Sequence, residues 1–126
     1  MEVRFTDREL DVMAVLWEQG PSTVTEVKER IEDELAYTTV LTILRTLETK
    51  GHVGHEEEGK AHRYAAKTAR ERAGESALRH VVAKLFRGSP SLLLAQLVTD
   101  ESLGAGEIKR MRKLLKRRLE QAEDDE

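Results

Sequence analysis

The chain has 126 residues, 39% of them hydrophobic and 36% charged, which is enough for one domain or two small ones with a highly charged surface. It has no cysteine, so disulfides and cysteine-ligated metals are excluded. Its net charge of −3 counts against nucleic-acid binding, most of all in residues 1–66, where 14 acidic residues outnumber 8 basic ones.

No targeting or membrane-spanning segment is predicted. Residues 1–11 are charged and contain no apolar run, unlike a signal peptide. The longest apolar stretch, residues 92–98, is too short to span a bilayer. We therefore expect a cytoplasmic protein that does not bind membranes directly.

A first helix is predicted at about Asp7–Gln19. Thr6 and Glu9 have the spacing of a capping box at its start, and Gly20-Pro21 ends it. A hydrophobic staple and an apolar stripe are expected from Phe5, Leu10, Met13 and Trp17.

A second, shorter helix is predicted to extend to about Asp33. Thr23 and Glu26 form its capping box, and Ser22-Thr23 is either a short strand or a cap. Its apolar stripe consists of Val24, Val27 and Ile31.

The third helix lies within residues 36–51, and Gly51 is expected to cap its end in the left-handed conformation. One side is apolar, with Ala36, Val40, Ile43, Leu44 and Leu47. The opposite side consists of small hydroxyl side chains and one cation, Thr38, Thr42, Arg45 and Thr49, and is flanked by Thr39 and Thr46. Threonine is a mediocre helix former, but its hydroxyl and methyl can contact phosphates and base edges. The alternative is a helix that merely tolerates threonine.

Two strands follow, predicted at His52–Glu57 and Ala61–Ala66, with Gly59 in the turn between them. Three helices and a hairpin are typical of a winged helix-turn-helix, in which the third helix enters the major groove. The wing residues suited to phosphate contacts are Lys60, His62 and Arg63, and Arg45 and Lys50 add local positive charge. The acidic residues at the wing tip, Glu56, Glu57 and Glu58, must point away from DNA.

The second half is predicted to be helical. One helix runs from a capping box at Thr68 and Glu71 to about Arg87, and the next begins at Pro90 with Ser89 as its cap. That second helix is apolar on nearly all sides, which predicts burial against another subunit. The last helix is predicted from Glu107 to about Ala122. The expected dimer interface consists of Leu92, Leu93, Leu94, Leu97, Val98, Ile108, Met111, Leu115 and Leu119.

Seven cations lie between Lys109 and Arg118 in the last helix. They are either a solvated face or a surface that contacts flanking DNA or another anionic partner.

The four histidines do not have the spacing of metal ligands, and His52 and His55 are expected on opposite faces of their strand. No nucleophile elbow, phosphate-binding loop or dinucleotide motif is present. We therefore expect no metal, no cofactor and no enzymatic activity.

Segments spread over most of the chain match one known family. They are Glu9-Leu10, Val15–Trp17, Val24–Val27, Ala36–Thr42, Leu47, Lys50-Gly51, Gly59–Tyr64 and Phe86–Ser89. In these segments the sequence resembles the penicillinase-repressor family, of the BlaI, MecI and CopY type.

The resemblance implies a homodimer that binds near-palindromic operator DNA and represses transcription, with β-lactam-resistance or related stress genes as targets. By the same resemblance, Thr38, Thr39, Thr42 and Arg45 face bases or adjacent phosphates, while Lys60 and Arg63 face the backbone beside the wing. In antibiotic-resistance members a membrane sensor-protease pathway leads to cleavage in the dimerisation domain. Copper-responsive members sense through C-terminal cysteines, which are absent here. Ala66 replaces a proline common in the family, which loosens the prediction of the domain boundary.

We therefore predict a mainly α fold with a small β-hairpin: a winged helix-turn-helix domain at residues 1–67 and a three-helix dimerisation domain at 68–126. The predicted DNA-binding residues are Thr38, Thr39, Thr42, Arg45, Thr46, Lys50, Lys60, His62 and Arg63. Two alternatives stay open, a winged-helix module that binds protein and a regulator that responds to a small ligand.

Overall fold

The computed structural model describes residues 3–126. It contains helices α1 (Asp7–Gln19), α2 (Val24–Arg30), α3 (Tyr37–Thr49), α4 (Arg70–Leu85), α5 (Pro90–Val98) and α6 (Ala105–Asp124), with strands β1 (Ser22–Thr23), β2 (Val53–Glu58) and β3 (Ala61–Ala66). The fold is mainly α with a small antiparallel sheet, as predicted. The chain divides within α4 into two compact units, Met1–Arg79 and His80–Glu126, whereas the sequence placed the boundary after residue 67.

The start of α1 has the predicted capping box. The Glu9 amide donates to the Thr6 hydroxyl at 3.2 Å, and the Thr6 amide donates to the Glu9 carboxylate at 2.7 Å. The predicted staple is wrong, because Leu10 is 42% exposed and Phe5 instead packs edge-on against Trp17. The stripe predicted through Leu10 is rotated in consequence, and the buried face of α1 is formed by Glu9, Val12, Met13, Val15 and Leu16.

Ser22-Thr23 forms both of the structures that the sequence allowed. The two residues pair with β3, and the Thr23 hydroxyl accepts from the Glu26 amide at 3.2 Å as the cap of α2. The hairpin is therefore part of a three-stranded sheet in the order β1-β3-β2. Helix α2 ends earlier than predicted, because the backbone of Ile31 is extended.

The end of α3 is fixed by Gly51, whose φ of +85° is the left-handed conformation that the sequence predicted. The Gly51 amide donates to the Glu48 carbonyl, and the His52 amide donates to the Leu47 carbonyl at 2.9 Å. This pair of bonds is a Schellman motif, and it turns the chain directly into β2.

The hairpin register places side chains on two distinct faces. His55 pairs with Tyr64 and Glu57 with His62, so these four share one face, and Glu56 pairs with Arg63 on the other. Gly59 has a φ of +61° in the turn, as the hairpin requires.

The hydrophobic core lies in the N-terminal unit, where α1, α2 and α3 pack against the sheet. Its buried residues are Val12, Met13, Val15, Leu16, Val24, Val27, Val40, Leu44, Leu47, Val53 and Tyr64. The sheet and α1 therefore hold α3 by its apolar side.

Thr68 connects the hairpin and α1 to the start of α4. The Trp17 indole N–H donates to the Thr68 carbonyl at 2.8 Å, and the Thr68 hydroxyl lies 2.8 Å from Nδ1 of His52. Helix α4 begins at Arg70, so the predicted capping box at Thr68 is wrong. The Arg70 guanidinium lies 5.6 Å from the centre of the Trp17 ring.

The C-terminal unit has the predicted helix start at α5. The Leu92 amide donates to the Ser89 hydroxyl at 3.3 Å, and Pro90 occupies the first turn. No residue of α5 or α6 is buried. Within residues 3–126 no single helix is both long and apolar enough to cross a membrane, although the bent pair of α4 and α5 passes that test together.

Candidate nucleic-acid interface

Helix α3 presents one face to solvent and the opposite face to the core. Val40, Leu44 and Leu47 are completely buried. The exposed side, which we name the threonine face, consists of Thr38, Thr39, Thr42, Arg45, Thr46 and Thr49. The structure therefore brings five of the predicted DNA-binding residues, all but Thr49 of this set, onto one exposed helix surface.

Three hydroxyls of the threonine face are held by the helix itself. Those of Thr42, Thr46 and Thr49 donate to the carbonyl four residues earlier, at 2.9, 2.9 and 3.0 Å. The hydroxyl proton of each is therefore used within the helix. What remains available outward is the oxygen as an acceptor and the methyl group as an apolar contact.

Two predicted cations of the site are paired within the chain. The Lys50 ammonium lies 2.7 Å from the Glu9 carboxylate. The Arg63 guanidinium lies 3.1 Å from the carboxylate of Glu26 and also bonds that of Glu58. A phosphate would have to displace these carboxylates before either cation could bind it.

Arg45 and Lys60 remain available for an anion. Both side chains are exposed, and neither takes part in an ion pair with the part of the chain that the structure describes. Arg45 lies on the threonine face, and Lys60 follows Gly59 at the tip of the hairpin. Glu58, one of the three acidic residues at the wing tip, accepts a hydrogen bond from the Arg63 guanidinium, which partly neutralises its negative charge.

His62 lies inside a small ring cluster rather than standing free on the wing. Its ring stacks on that of His55 with centroids 4.4 Å apart, and the Tyr64 ring is adjacent to both. His55 in turn bonds Glu48 of α3 at 2.5 Å. Sequence analysis missed this cluster, although the position of Gly59 in the turn gives the register that brings His55 and His62 to one face.

A buried charge at the foot of α3 was also missed. Glu9 is only 4% exposed. Burial raises the pKa of Glu9, but hydrogen bonds from Lys50 and from the Thr6 amide outweigh it and hold the pKa below its ordinary 4.5. Glu9 therefore stays ionised and joins α1 to the end of α3.

The predicted interface residues of the C-terminal unit leave apolar surface uncovered in a single chain. Leu92, Leu97 and Val98 of α5 and Ile108, Leu115 and Leu119 of α6 are each more than 40% exposed. Leu93, Leu94 and Met111 are half-buried.

No group of three or more potential metal ligands occurs within residues 3–126.

Comparison with known proteins identifies relatives over most of the chain. A family model described as penicillinase repressor matches residues 5–117. The transcriptional regulator BlaI of Mycobacterium tuberculosis, in each of two strains, is 34% identical over 116 residues, which is 89% of this chain and 83% of the relative.

Solved structures support the fold. A MarR family protein from Bacillus stearothermophilus has a TM-score of 0.51 at 24% identity, covering 97% of this chain and 77% of its own. The transcriptional regulator Tm0710 of Thermotoga maritima has a TM-score of 0.50 at 18% identity, covering 95% and 78%. Together with the match of the family model and with BlaI, the winged helix and its exposed third helix show that the chain belongs to the penicillinase repressor family of transcriptional regulators.

Proposed function

We propose that the protein is a repressor that binds near-palindromic operator DNA as a homodimer, with α3 as the recognition helix. The observation that carries the proposal is the exposed threonine face of α3, opposite side chains that are completely buried. A helix fixed by one side and exposed on the other is the form in which a winged helix-turn-helix enters the major groove. Arg45 then contacts a base or phosphate, and Lys60 contacts the backbone beside the wing.

The dimer is proposed from the C-terminal unit. Its two complete helices contain no buried residue, so one copy alone has no hydrophobic core there. A second copy of the same surface would cover these leucines in a two-fold interface. That pairing would set two recognition helices about 10 base pairs, or a multiple of this, apart on the DNA.

The proposal extends to how repression ends. Two linked recognition helices bind far more tightly than one, by a factor on the order of 10²–10⁴. Separating the C-terminal units would therefore release the DNA without any change in α3. We further propose genes of β-lactam resistance or a related stress as targets, in keeping with a family described as penicillinase repressors, and a membrane sensor-protease pathway as the signal that separates the subunits.

Fluorescence anisotropy tests the proposal, using the duplex upstream of the protein's own gene and a random duplex of equal length, across a salt series. We expect binding that is selective, falls steeply with salt and reaches two subunits per site. If the upstream duplex binds no better than random DNA, operators of other family members are tested in the same way. Equal and weak binding to all of these duplexes would reject the repressor and favour a winged helix that binds protein.

A further inference from the structure

Helix α6 carries a dense and uncompensated positive charge. Seven lysines and arginines lie between Lys109 and Arg118, and no acidic residue occurs from Ile108 to Leu119. All seven side chains are exposed. Within the part of the chain that the structure describes, only Arg110 among them forms an ion pair, with Glu107 at 2.6 Å.

Four of the cations lie close together on one side of the helix. At 100° per residue these four fall within one sector of about 100°, on the side of the helix away from Ile108, Met111 and Leu115 of the apolar stripe, and Lys116 at the edge of the sector lies about 60° from Leu119, the last residue of that stripe. We name this group the α6 basic face, and it consists of Lys109, Lys113, Lys116 and Arg117. Lys109, Lys113 and Arg117 therefore stay accessible when a partner covers the stripe, whereas Lys116 lies beside it.

The basic face repels itself. Lys109 and Lys113, Lys113 and Lys116, and Lys113 and Arg117 are all three or four residues apart, where like charges each destabilise a helix by about 0.2–0.5 kcal/mol. A solvated helix face normally avoids such repulsion by placing residues of opposite charge three or four positions apart, as Glu75 and Arg79 are in α4. A polyanion bound along α6 would convert the repulsion into attraction.

The charge also contrasts with the rest of the protein. The net charge of the whole chain is −3, and several cations elsewhere are paired, as Arg8 is with Asp11 and Asp33. The α6 basic face is thus a concentrated positive surface on an acidic protein. Such a surface attracts a linear array of negative charges far more strongly than a single anion.

We propose that the α6 basic face binds the phosphate backbone of duplex DNA outside the segment read by α3. The proposal rests on the proposed function, which brings the protein onto DNA. Four cations per subunit would supply sequence-independent affinity that the acidic N-terminal unit lacks. The apolar stripe argues for DNA over an anionic membrane, since a membrane-bound helix inserts its apolar side, which the dimer would occupy.

The test replaces all four residues of the basic face by glutamine, Lys109→Gln, Lys113→Gln, Lys116→Gln and Arg117→Gln, in the full chain. The matched control keeps the charge, with Lys109→Arg, Lys113→Arg and Lys116→Arg. Circular dichroism and sedimentation confirm that each variant has the fold and oligomeric state of the unsubstituted protein. Binding is measured on a minimal operator duplex and on one extended at both ends by random sequence.

For the unsubstituted protein and the arginine control we expect the extended duplex to bind at least about tenfold more tightly at low salt. For the glutamine variant we expect little gain from extension. The slope of log K against log salt should be shallower by about 0.9 for each phosphate that the variant no longer neutralises.

The outcomes separate this inference from the proposed function. Selective operator binding with the same slope and no effect of extension in all three proteins would overturn the inference alone. Loss of selective binding in all three would overturn the proposed function. Binding of vesicles that contain phosphatidylserine, abolished in the glutamine variant while DNA binding is unchanged, would assign the face to a membrane instead.

Discussion

The ammonium group of Lys50 lies 2.7 Å from the carboxylate of Glu9, and this ion pair joins the end of α3 to the first turn of α1. The same carboxylate caps α1 through the Thr6 amide. One buried side chain therefore fixes both the start of α1 and the position of the proposed recognition helix.

Replacing Lys50 by methionine should destabilise the protein. The substitution leaves the Glu9 carboxylate buried without its cation, which costs about 1–3 kcal/mol. Lys50 is itself 43% exposed, so water can replace part of the interaction and the lower end of this range is expected. Urea unfolding at pH 7 measures the change. Lys60→Met removes the same charge from an exposed turn and should change the free energy of unfolding by less than about 0.5 kcal/mol. Equal losses of stability in both variants would contradict the role given to the ion pair.

His52 should make stability fall as the pH falls below about 7. Burial lowers the pKa of His52 from its ordinary 6.5, and the charge of Glu9 only partly opposes this. Below 6.5 the unfolded chain binds a proton at His52 that the folded chain binds only at lower pH. The unfolded state then holds more protons, so the free energy of unfolding decreases towards the folded-state pKa and levels off there.

Urea unfolding between pH 7.5 and about 5 checks this dependence. Glu9 does not interfere in this range, because its pKa in the folded protein lies below the ordinary value of 4.5 and the stability that it contributes is lost only at lower pH. His52→Asn keeps a nitrogen able to bond the Thr68 hydroxyl and removes the titration. A variant whose pH profile matches that of the unsubstituted protein would assign the slope to another group.

Thr42 should read a base through its methyl group. Its hydroxyl donates to the Thr38 carbonyl, so the methyl and an acceptor oxygen are what it offers to the groove. Replacing each operator thymine in turn by uracil removes one methyl group, and at the contacted position should weaken binding by about 0.8 kcal/mol.

Thr42→Ser removes the matching methyl from the protein. In this variant the uracil substitution at the contacted position should have no further effect, since the two methyl groups no longer meet. Independent, additive decreases in affinity would show that Thr42 does not touch that thymine.

Arg45→Ala should weaken operator binding by about 1–3 kcal/mol if the guanidinium binds a base in a bidentate manner. Arg45 is exposed and forms no ion pair within residues 3–126, so its removal should leave the fold intact. Arg79→Ala is the control, since it removes an equal charge from a surface pair with Glu75. Anisotropy that gives the same affinity for Arg45→Ala and the control would show that the threonine face does not read the operator.

Leu97→Glu should give monomers. Leu97 is 45% exposed in one chain, and a carboxylate there could not be buried against a second copy. Gln96→Glu places the same charge on the neighbouring residue of α5. Sedimentation at micromolar concentration should show monomers for the first and dimers for the second. A Leu97→Glu protein that is still dimeric would contradict the proposed interface, and the same would hold for Leu93→Glu.

Local patterns predicted the elements well. The capping boxes at Thr6 and Thr23, the cap at Ser89 and the left-handed Gly51 each depend on residues within four positions of one another, and all four are confirmed. The capping box at Thr68 is equally local but wrong, because α4 begins only at Arg70. The exposed face of α3 was predictable for the same reason, since helical periodicity separates it from Val40, Leu44 and Leu47.

Contacts between elements were the part that the sequence did not disclose. Pairing of Lys50 with Glu9, or of Arg63 with Glu26, joins residues far apart in the chain and depends on how helices and strands pack. The stripe of α1 failed for a related reason. Leucine was assumed to face inward at position 10, whereas the face that α1 turns to the core consists of Glu9, Val12, Met13, Val15 and Leu16 and leaves Leu10 42% exposed.

Trp17 is the only tryptophan in the chain, and its indole N–H donates a hydrogen bond to the carbonyl of Thr68, two residues before the start of α4. The tryptophan fluorescence of the protein, excited apart from that of its two tyrosines, therefore comes from the point where the winged helix connects to the helices that follow. A red shift of that emission would report water entering this joint, with no dye or label attached. The same optical signal could then follow, in real time, whether operator binding tightens the joint or an inducing signal loosens it.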